Sequence, residues 1–121
     1  EVEGLGGHDY LDKLDGYARK REAGTITIDR EVDRIYLGAA TPRIVDRGLG
    51  RTITIESRGS SRSTIVWNPW VEKTLKLDDM PADGYRQMLC VETGNVADDA
   101  VTLAPGGKTI LVQALTVHRV A

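Results

Sequence analysis

The stretch RTITIES, residues 51–57, decides the fold, because apolar and polar residues alternate along it. In an extended chain, Ile53 and Ile55 fall on one face, while Thr52 and Thr54 fall on the other. A period of two residues indicates a β-strand that buries one face and exposes the other.

Similar short runs of β-branched residues recur along the chain, separated by segments rich in Gly, Pro, Asp and Ser. They are TITI (25–28), STIVW (63–67), QMLCVE (87–92) and TILVQALTV (109–117). Strands at such regular intervals, with no convincing amphipathic helix between them, predict an all-β protein built as an antiparallel sandwich or barrel.

One segment also fits a helix. In YLDKLDGYARKREAG, residues 10–24, Leu11, Leu14 and Ala18 recur at helical spacing. Gly16 interrupts that segment and the surrounding pattern is that of strands, so a loop or an irregular connection is expected instead.

Length and composition limit the kinds of protein that the chain can be. A chain of 121 residues is the size of one domain, and a net charge of −2 gives no electrostatic reason for binding nucleic acid. We find no apolar run of membrane-spanning length and no leader segment. The single cysteine, Cys90, excludes an internal disulfide and fits a reducing compartment, so we expect a cytoplasmic protein.

Several familiar kinds of site are not predicted. His8, Cys90 and His118 are isolated from one another, so none has the spacing of metal ligands. No helix is expected after GLGR (48–51), which argues against a phosphate-binding loop, and RKR (19–21) is typical of a solvated charged surface.

Two carboxylates are candidates for chemistry. Asp33, in EVDRIY (31–36), is either a surface residue paired with Arg34 or a ligand-binding carboxylate. Glu92, in CVETGN (90–95), lies near a strand end and before a loop. It either points to solvent or is held in a cleft as a general base.

The aromatic stretch VWNPW, residues 66–70, is the third candidate. Trp67 and Trp70 flank a turn, and they suit a buried corner better than a wall on which sugars stack. Asn68 and Trp67 are nevertheless possible neighbours of a cleft. The segment EKTLKLDDM (72–80), which follows this turn, is expected to form at most one turn of helix.

Four separated stretches together resemble a known family. In order they are GLGGHDYLDKLDG (4–16), EVDRIYL (31–37), STIVWNPWVEK (63–73) and YRQMLCVETGNVADDAVTLAPGGK (85–108). They are similar to the C-terminal part of the glucose-6-phosphate 1-epimerases, the hexose-6-phosphate mutarotases of the aldose-1-epimerase superfamily.

The resemblance implies a galactose-mutarotase-like antiparallel β-sandwich, of which residues 1–121 are the C-terminal part of a single domain. It implies an isomerase that interconverts the α and β anomers of a hexose 6-phosphate, with no cofactor and no metal. Glu92 falls on the family's general base, and Asp33 falls on its substrate-binding aspartate. An acid and a base are needed because mutarotation moves protons at two oxygens, the C1 hydroxyl and the ring oxygen.

The chain also departs from the family pattern. The family's acid histidine belongs to an HTYF-like motif expected upstream of EVEGL (1–5), and its phosphate-binding arginines are expected there too. The chain therefore carries the base without the acid. We expect it to associate with a missing N-terminal half or another copy of itself. The alternative is a non-catalytic carbohydrate-binding β-sandwich that lacks the acid histidine.

Overall fold

The computed structural model describes residues 1–120, which form nine β-strands in two antiparallel sheets. The strands are β1 Val2–Glu3, β2 Asp9–Asp12, β3 Ala18–Arg21, β4 Val32–Leu37, β5 Arg43–Asp46, β6 Arg51–Gly59, β7 Ser63–Asn68, β8 Cys90–Gly94 and β9 Leu111–Arg119. One sheet has the strand order β1-β5-β6-β9, and the other has the order β3-β2-β4-β7-β8. The predicted all-β antiparallel fold is confirmed.

Helical structure is confined to short segments. These are the α-helix α1, Trp70–Thr74, and 3-10 turns at Lys13–Asp15, Gly84–Arg86 and Ala97–Asp99. The turn of helix expected after the VWNPW stretch is thus present, but it begins at Trp70, inside that stretch. Within residues 1–120, no helix has both the length and the hydrophobicity that crossing a membrane requires.

The core lies where the two sheets face each other. Val32 and Tyr36 of β4 and Val66 of β7 belong to one buried cluster with Ile55 of β6, and each is at most 3% exposed. Ile53 is partly buried against the same cluster. The face of RTITIES that the alternation assigns to the interior is therefore the face that is buried.

The TITI stretch, residues 25–28, is not a strand as predicted. Ile26 alone forms a bridge with Val2, with two backbone hydrogen bonds of 2.8 Å. Ile26 is only 1% exposed, so the pattern correctly indicates burial. The residues beside Ile26 have no neighbouring strand to pair with, and pairing is what makes a strand. The run that starts at residue 87 is likewise shorter than predicted, because β8 begins at Cys90.

The segment at residues 10–24 is neither a helix nor a loop, because β2 and β3 form a hairpin within it. Asp12 Oδ1 accepts a hydrogen bond of 3.1 Å from the backbone N–H of Leu14 and so caps the 3-10 turn. Gly16 and Tyr17 then adopt positive φ angles of 56° and 62°, which turn the chain back into β3. This turn projects beside β4, where it contributes to the site described next.

Candidate active site

Three neighbouring strands, β4, β7 and β8, bring the two candidate carboxylates onto one face of the five-stranded sheet. Residues paired across antiparallel strands point to the same face, as do residues two apart on one strand. Asp33 pairs with Trp67, and Glu92 pairs with Ile65, two residues away on β7. Val66, which lies between Ile65 and Trp67, points into the core, so both carboxylates lie on the opposite, outer face.

The spacing of the two carboxylates suits a small ligand. Strands lie about 4.8 Å apart and residues rise about 3.4 Å along each, which separates the Cα atoms of Asp33 and Glu92 by about 12 Å. A cleft with a volume of about 430 Å³ occupies this face. It is lined by Lys13, Asp33, Ile35, Ile65, Trp67, Lys73, Glu92 and Val96. The cleft thus offers charged groups at its rim and an apolar floor between them.

Asp33 is a buried carboxylate, and within residues 1–120 its one cationic partner is Lys13. Asp33 is 8% exposed, and its Oδ2 atom lies 3.2 Å from Lys13 Nζ. The alternative of a surface aspartate paired with Arg34 is wrong. Arg34 points to the core side of β4, where its Nη1 donates to Glu22 Oε2 at 2.8 Å and to Tyr36 Oη at 3.0 Å.

Lys13 is a cleft residue that sequence reasoning missed. It begins the 3-10 turn of the β2–β3 hairpin, and it reaches Asp33 because β2 pairs with β4. Nothing in the local sequence distinguishes it from the other charged residues of that segment. Lys73 of α1 also lines the cleft, and its Nζ is 3.8 Å from Glu31 Oε1, a loose ion pair.

Glu92 differs from Asp33 in its surroundings. Its side chain lines the cleft, yet the residue is exposed, and it takes part in no ion pair among residues 1–120. Its neighbour on the same face of β8 is Cys90, which is half-buried. Burial, together with the negative charge of Glu92, raises the pKa of the Cys90 thiol. The cleft therefore holds one exposed carboxylate, Glu92, that has no ion pair among residues 1–120 and one buried carboxylate, Asp33, that is paired with Lys13.

The influence of Glu92 on Cys90 gives a test of this geometry that does not depend on any activity. We expect Glu92→Gln to lower the pKa of the Cys90 thiol, because it removes the nearby negative charge that opposes thiolate formation. Alkylation of Cys90 by iodoacetamide at pH 8 should become about two- to fivefold faster, since the rate follows the thiolate fraction. Equal alkylation rates in the two proteins, measured by mass spectrometry, would mean that the carboxylate does not lie beside the thiol.

The residues of the VWNPW stretch, 66–70, divide between the two roles considered for them, a buried corner and a wall of the cleft. Trp67 lines the cleft, whereas Asn68 faces inward and is 2% exposed. The Asn68 side-chain amide donates hydrogen bonds of 2.9 Å to the carbonyls of Tyr85 and Met88. The Trp70 ring packs edge-on against Tyr85, with ring centroids 4.9 Å apart. Asn68 is therefore buried at the corner, Trp70 lies half-buried beside it, and Trp67 forms a wall of the cleft.

Neither histidine lies in the cleft. His8 Nδ1 is 3.1 Å from the carbonyl oxygen of Leu37, and His118 lies exposed on β9 in the other sheet. Within residues 1–120, no group of three or more His, Cys, Asp or Glu side chains is placed to hold a metal ion. A second hollow, of about 340 Å³, lies beside α1 at the end of β7. We assign the site to the sheet face, because of these two hollows it is the one in which carboxylates from different strands face one ligand-sized space.

The fold and the cleft together define the class of protein. It is an antiparallel β-protein of two sheets, with carboxylates and an aromatic wall on the outer face of one sheet. The chain belongs to the aldose 1-epimerase family, whose family model matches residues 1–116. The resemblance found in the sequence is thereby confirmed.

Two proteins that are similar to this chain share one description. A protein of Cenchrus ciliaris described as "Putative glucose-6-phosphate 1-epimerase" is 38% identical over 107 residues, covering 87% of this chain and 32% of that protein. A protein of Escherichia coli with the same description is 30% identical over 99 residues, covering 80% of this chain and 33% of that protein. The chain therefore spans about a third of the length of these relatives.

A solved structure also matches the fold. The structure described as Crystal Structure Analysis of HI1317 superposes with a TM-score of 0.76 and 25% sequence identity. The match covers 97% of this chain and 40% of that one. The similarity thus extends over both sheets of the present chain and less than half of its neighbour.

Proposed function

We propose that this chain is the C-terminal part of a single mutarotase-like β-sandwich domain that interconverts the α and β anomers of a hexose 6-phosphate. The observation that carries the proposal is the placement of Asp33 and Glu92 on one face of one sheet, bordering one cleft. Family membership supports the class of reaction, and the description of the relatives supports glucose 6-phosphate as the substrate.

The proposed reaction is a pair of coupled proton transfers. A base removes the proton from the C1 hydroxyl while an acid protonates the ring oxygen, O5. The C1–O5 bond breaks, and C1 becomes an aldehyde carbon. Rotation about the C1–C2 bond presents the other face of the aldehyde to the O5 hydroxyl. Reversal of both proton transfers then closes the ring as the opposite anomer, so that no atom is gained or lost.

Glu92 suits the role of base better than Asp33 does. A base needs a carboxylate oxygen free to take a proton, and Glu92 has no ion-pair partner among residues 1–120. Asp33 is buried, and its Oδ2 atom already lies 3.2 Å from Lys13 Nζ. Asp33 therefore suits the role of a fixed hydrogen-bond acceptor better than that of a base. Such an acceptor binds sugar hydroxyls through charge-assisted hydrogen bonds, which are stronger than neutral ones. Trp67 would flank the ring with its apolar face.

The acid is proposed to come from the part of the family protein that this chain does not span. His8 and His118 both lie outside the cleft, and Lys13 is occupied by Asp33. The relatives are about three times as long as the matched region, which leaves ample chain for an acid and for phosphate-binding groups. A phosphorylated substrate and one free thiol, Cys90, support a cytoplasmic location.

The test is an anomer-exchange measurement on the complete protein. Saturation transfer between the two C1 protons in the NMR spectrum of glucose 6-phosphate reports the exchange rate, and the uncatalysed rate is subtracted. We expect acceleration with glucose 6-phosphate and a smaller one with glucose, which lacks the phosphate. Binding of glucose 6-phosphate by calorimetry with no acceleration would instead favour the alternative, a non-catalytic carbohydrate-binding sandwich.

For Asp33→Asn we expect kcat/KM for anomer exchange to fall about 10- to 100-fold, the loss typical of one or two charge-assisted hydrogen bonds. The matched control is Asp29→Asn, since Asp29 is exposed and paired only with Arg30 at 2.9 Å. Unchanged kcat/KM in Asp33→Asn, or an equal fall in the control, would remove Asp33 from the substrate site.

A further inference from the structure

Lys13 stands opposite Asp33 because it continues the register of two paired strands. In the pairing of β2 with β4, Asp12 lies opposite Arg34. The next position along β2 is that of Lys13, and the position before Arg34 on β4 is that of Asp33, so the two residues fall on one face of the sheet. The distance of 3.2 Å between Lys13 Nζ and Asp33 Oδ2 shows that their side chains meet there.

The turn that carries Lys13 is held in place by a different lysine. Lys20 Nζ lies 2.7 Å from Asp12 Oδ2 and 2.9 Å from Asp15 Oδ2, so it bridges residues on either side of the turn. Asp12 also accepts a hydrogen bond of 3.1 Å from the backbone N–H of Leu14. Because these contacts do not use the Lys13 side chain, its ammonium group is left to line the cleft.

The pair of Lys13 and Asp33 has unused hydrogen-bonding capacity. An ammonium group has three N–H donors and a carboxylate has about four lone-pair positions, so one contact between them leaves both able to bind a ligand. Among residues 1–120, each is the other's one ion-pair partner. The side chain of Lys13 is 38% exposed, and both residues line the cleft.

A donor beside an acceptor is complementary to two neighbouring sugar hydroxyls. Hydroxyl oxygens on adjacent ring carbons lie about 3 Å apart, which is close to the 3.2 Å between Lys13 Nζ and Asp33 Oδ2. One hydroxyl can accept a hydrogen bond from the ammonium while its neighbour donates to the carboxylate, and both bonds are charge-assisted. Trp67, which pairs with Asp33 across β4 and β7, adds an aromatic ring to the same row.

We propose that Lys13 is a substrate-binding residue that, together with Asp33, binds two adjacent sugar hydroxyls, one of which is the 3-hydroxyl. For its ligand, a hexose 6-phosphate, the inference rests on the proposed function. Glu92, proposed to act at the C1 hydroxyl, lies on β8, two strands away from Asp33. Oxygen 5 belongs to the ring and oxygen 6 carries the phosphate. The adjacent pairs that remain are the 2- and 3-hydroxyls or the 3- and 4-hydroxyls, and both contain the 3-hydroxyl.

Calorimetric titration of the complete protein with glucose 6-phosphate and its 2-, 3- and 4-deoxy analogues tests the proposal. We expect the Kd of the wild-type protein to rise about 10- to 100-fold for the 3-deoxy analogue and for one of the other two. In Lys13→Met, one of these two increases should shrink to about threefold or less, because the missing hydroxyl has already lost its partner. The other should persist, because Asp33 remains. Lys13→Arg keeps the charge and the donors, so it should restore the larger increase.

Lys73→Met serves as the control within the same cleft. Lys73 also lines the cleft, but its Nζ atom lies 3.8 Å from Glu31 Oε1. Its replacement removes the same charge as Lys13→Met, so any purely electrostatic loss should appear with all four ligands in both variants. The ratio of the Kd for a deoxy analogue to that for glucose 6-phosphate should change in Lys13→Met and keep its wild-type value in Lys73→Met.

Three outcomes would overturn the proposal. They are two undiminished increases in Lys13→Met, a wild-type protein that binds the 3-deoxy analogue as tightly as glucose 6-phosphate, and a wild-type protein that binds none of the four ligands. Binding is measured without turnover, so the result is separable from the proposed function. The expected pattern of Kd values without accelerated anomer exchange would reject the proposed function and support Lys13 as a binding residue. Accelerated exchange with no increase for the 3-deoxy analogue would reject only the role of Lys13.

Discussion

Glu92→Gln in the complete protein is expected to lower the accelerated rate of anomer exchange of glucose 6-phosphate by about 10²- to 10⁴-fold, the range for loss of a general base. The amide keeps the size of the side chain but cannot accept the C1 hydroxyl proton and hold it. Because Glu92 is exposed and unpaired among residues 1–120, its replacement leaves no buried group without a partner. Folding should therefore be unchanged, and saturation-transfer NMR under substrate excess measures the loss.

The control for this variant is Glu56→Gln, on β6 of the other sheet. Glu56 pairs with Arg58 at the surface, at 2.7 Å, and does not line the cleft. Exchange at the wild-type rate is expected in this control. If Glu92→Gln also exchanges the anomers at the wild-type rate, the assignment of Glu92 as the base is wrong. The alternative of a non-catalytic carbohydrate-binding sandwich would be favoured only if the wild-type protein itself did not accelerate the exchange.

Local alternation predicted a strand correctly where the alternating run finds partner strands, but it did not indicate every paired strand, since β2 and β5 are paired on both edges and lie outside the predicted runs. The runs at residues 51–57 and 63–67 lie within β6 and β7, which are each paired on both edges. The run at residues 25–28 has the same composition but only Ile26 finds a partner. Pairing is a property of the folded chain, so no local pattern separates these cases.

The β2–β3 hairpin shows a second limit of local reading. Only Tyr10 of its two strands is buried, so the hairpin lacks the apolar alternation that predicts a strand, and exposed ion pairs lie across it. Arg19 and Arg21 both engage Asp9, at 2.7 Å and 2.6 Å, and Lys20 bridges two further aspartates. RKR was therefore correctly predicted to be a surface segment, but its charges serve strand pairing, which only the register reveals.

For the site, the family resemblance identified residues whose physical roles the sequence alone left open. Asp33 and Glu92 were both named, yet nothing local indicated that one is buried and ion-paired while the other is exposed. Lys13 was missed because its contact with Asp33 depends on the pairing of β2 with β4. The assignment of catalytic and binding roles to these carboxylates remains a prediction, which the two substitutions test.

Arg34→Met is expected to lower the free energy of unfolding by about 2–3 kcal/mol, through the loss of charge-assisted hydrogen bonds inside the protein. Arg34 is 6% exposed, bonds to Glu22 and Tyr36, and stacks over the Tyr10 ring at 4.4 Å from its centroid. Methionine replaces the apolar contacts but none of the hydrogen bonds. Because the Glu22 side chain is 37% exposed, water relieves its unpaired charge, which keeps the loss below that of a fully buried pair.

The matched control is Arg21→Met, whose side chain is 66% exposed and whose pair with Asp9 lies at the surface, so its loss should change the free energy of unfolding far less. Urea unfolding, followed by tryptophan fluorescence, measures the free energy of unfolding of each variant. Equal midpoints for the two variants would mean that the cluster around Arg34 makes no net contribution. A selective loss in Arg34→Met would instead show that the ionic cluster on the inner face of β4 stabilises the protein. The same strand carries Asp33 on its outer face, at the border of the cleft.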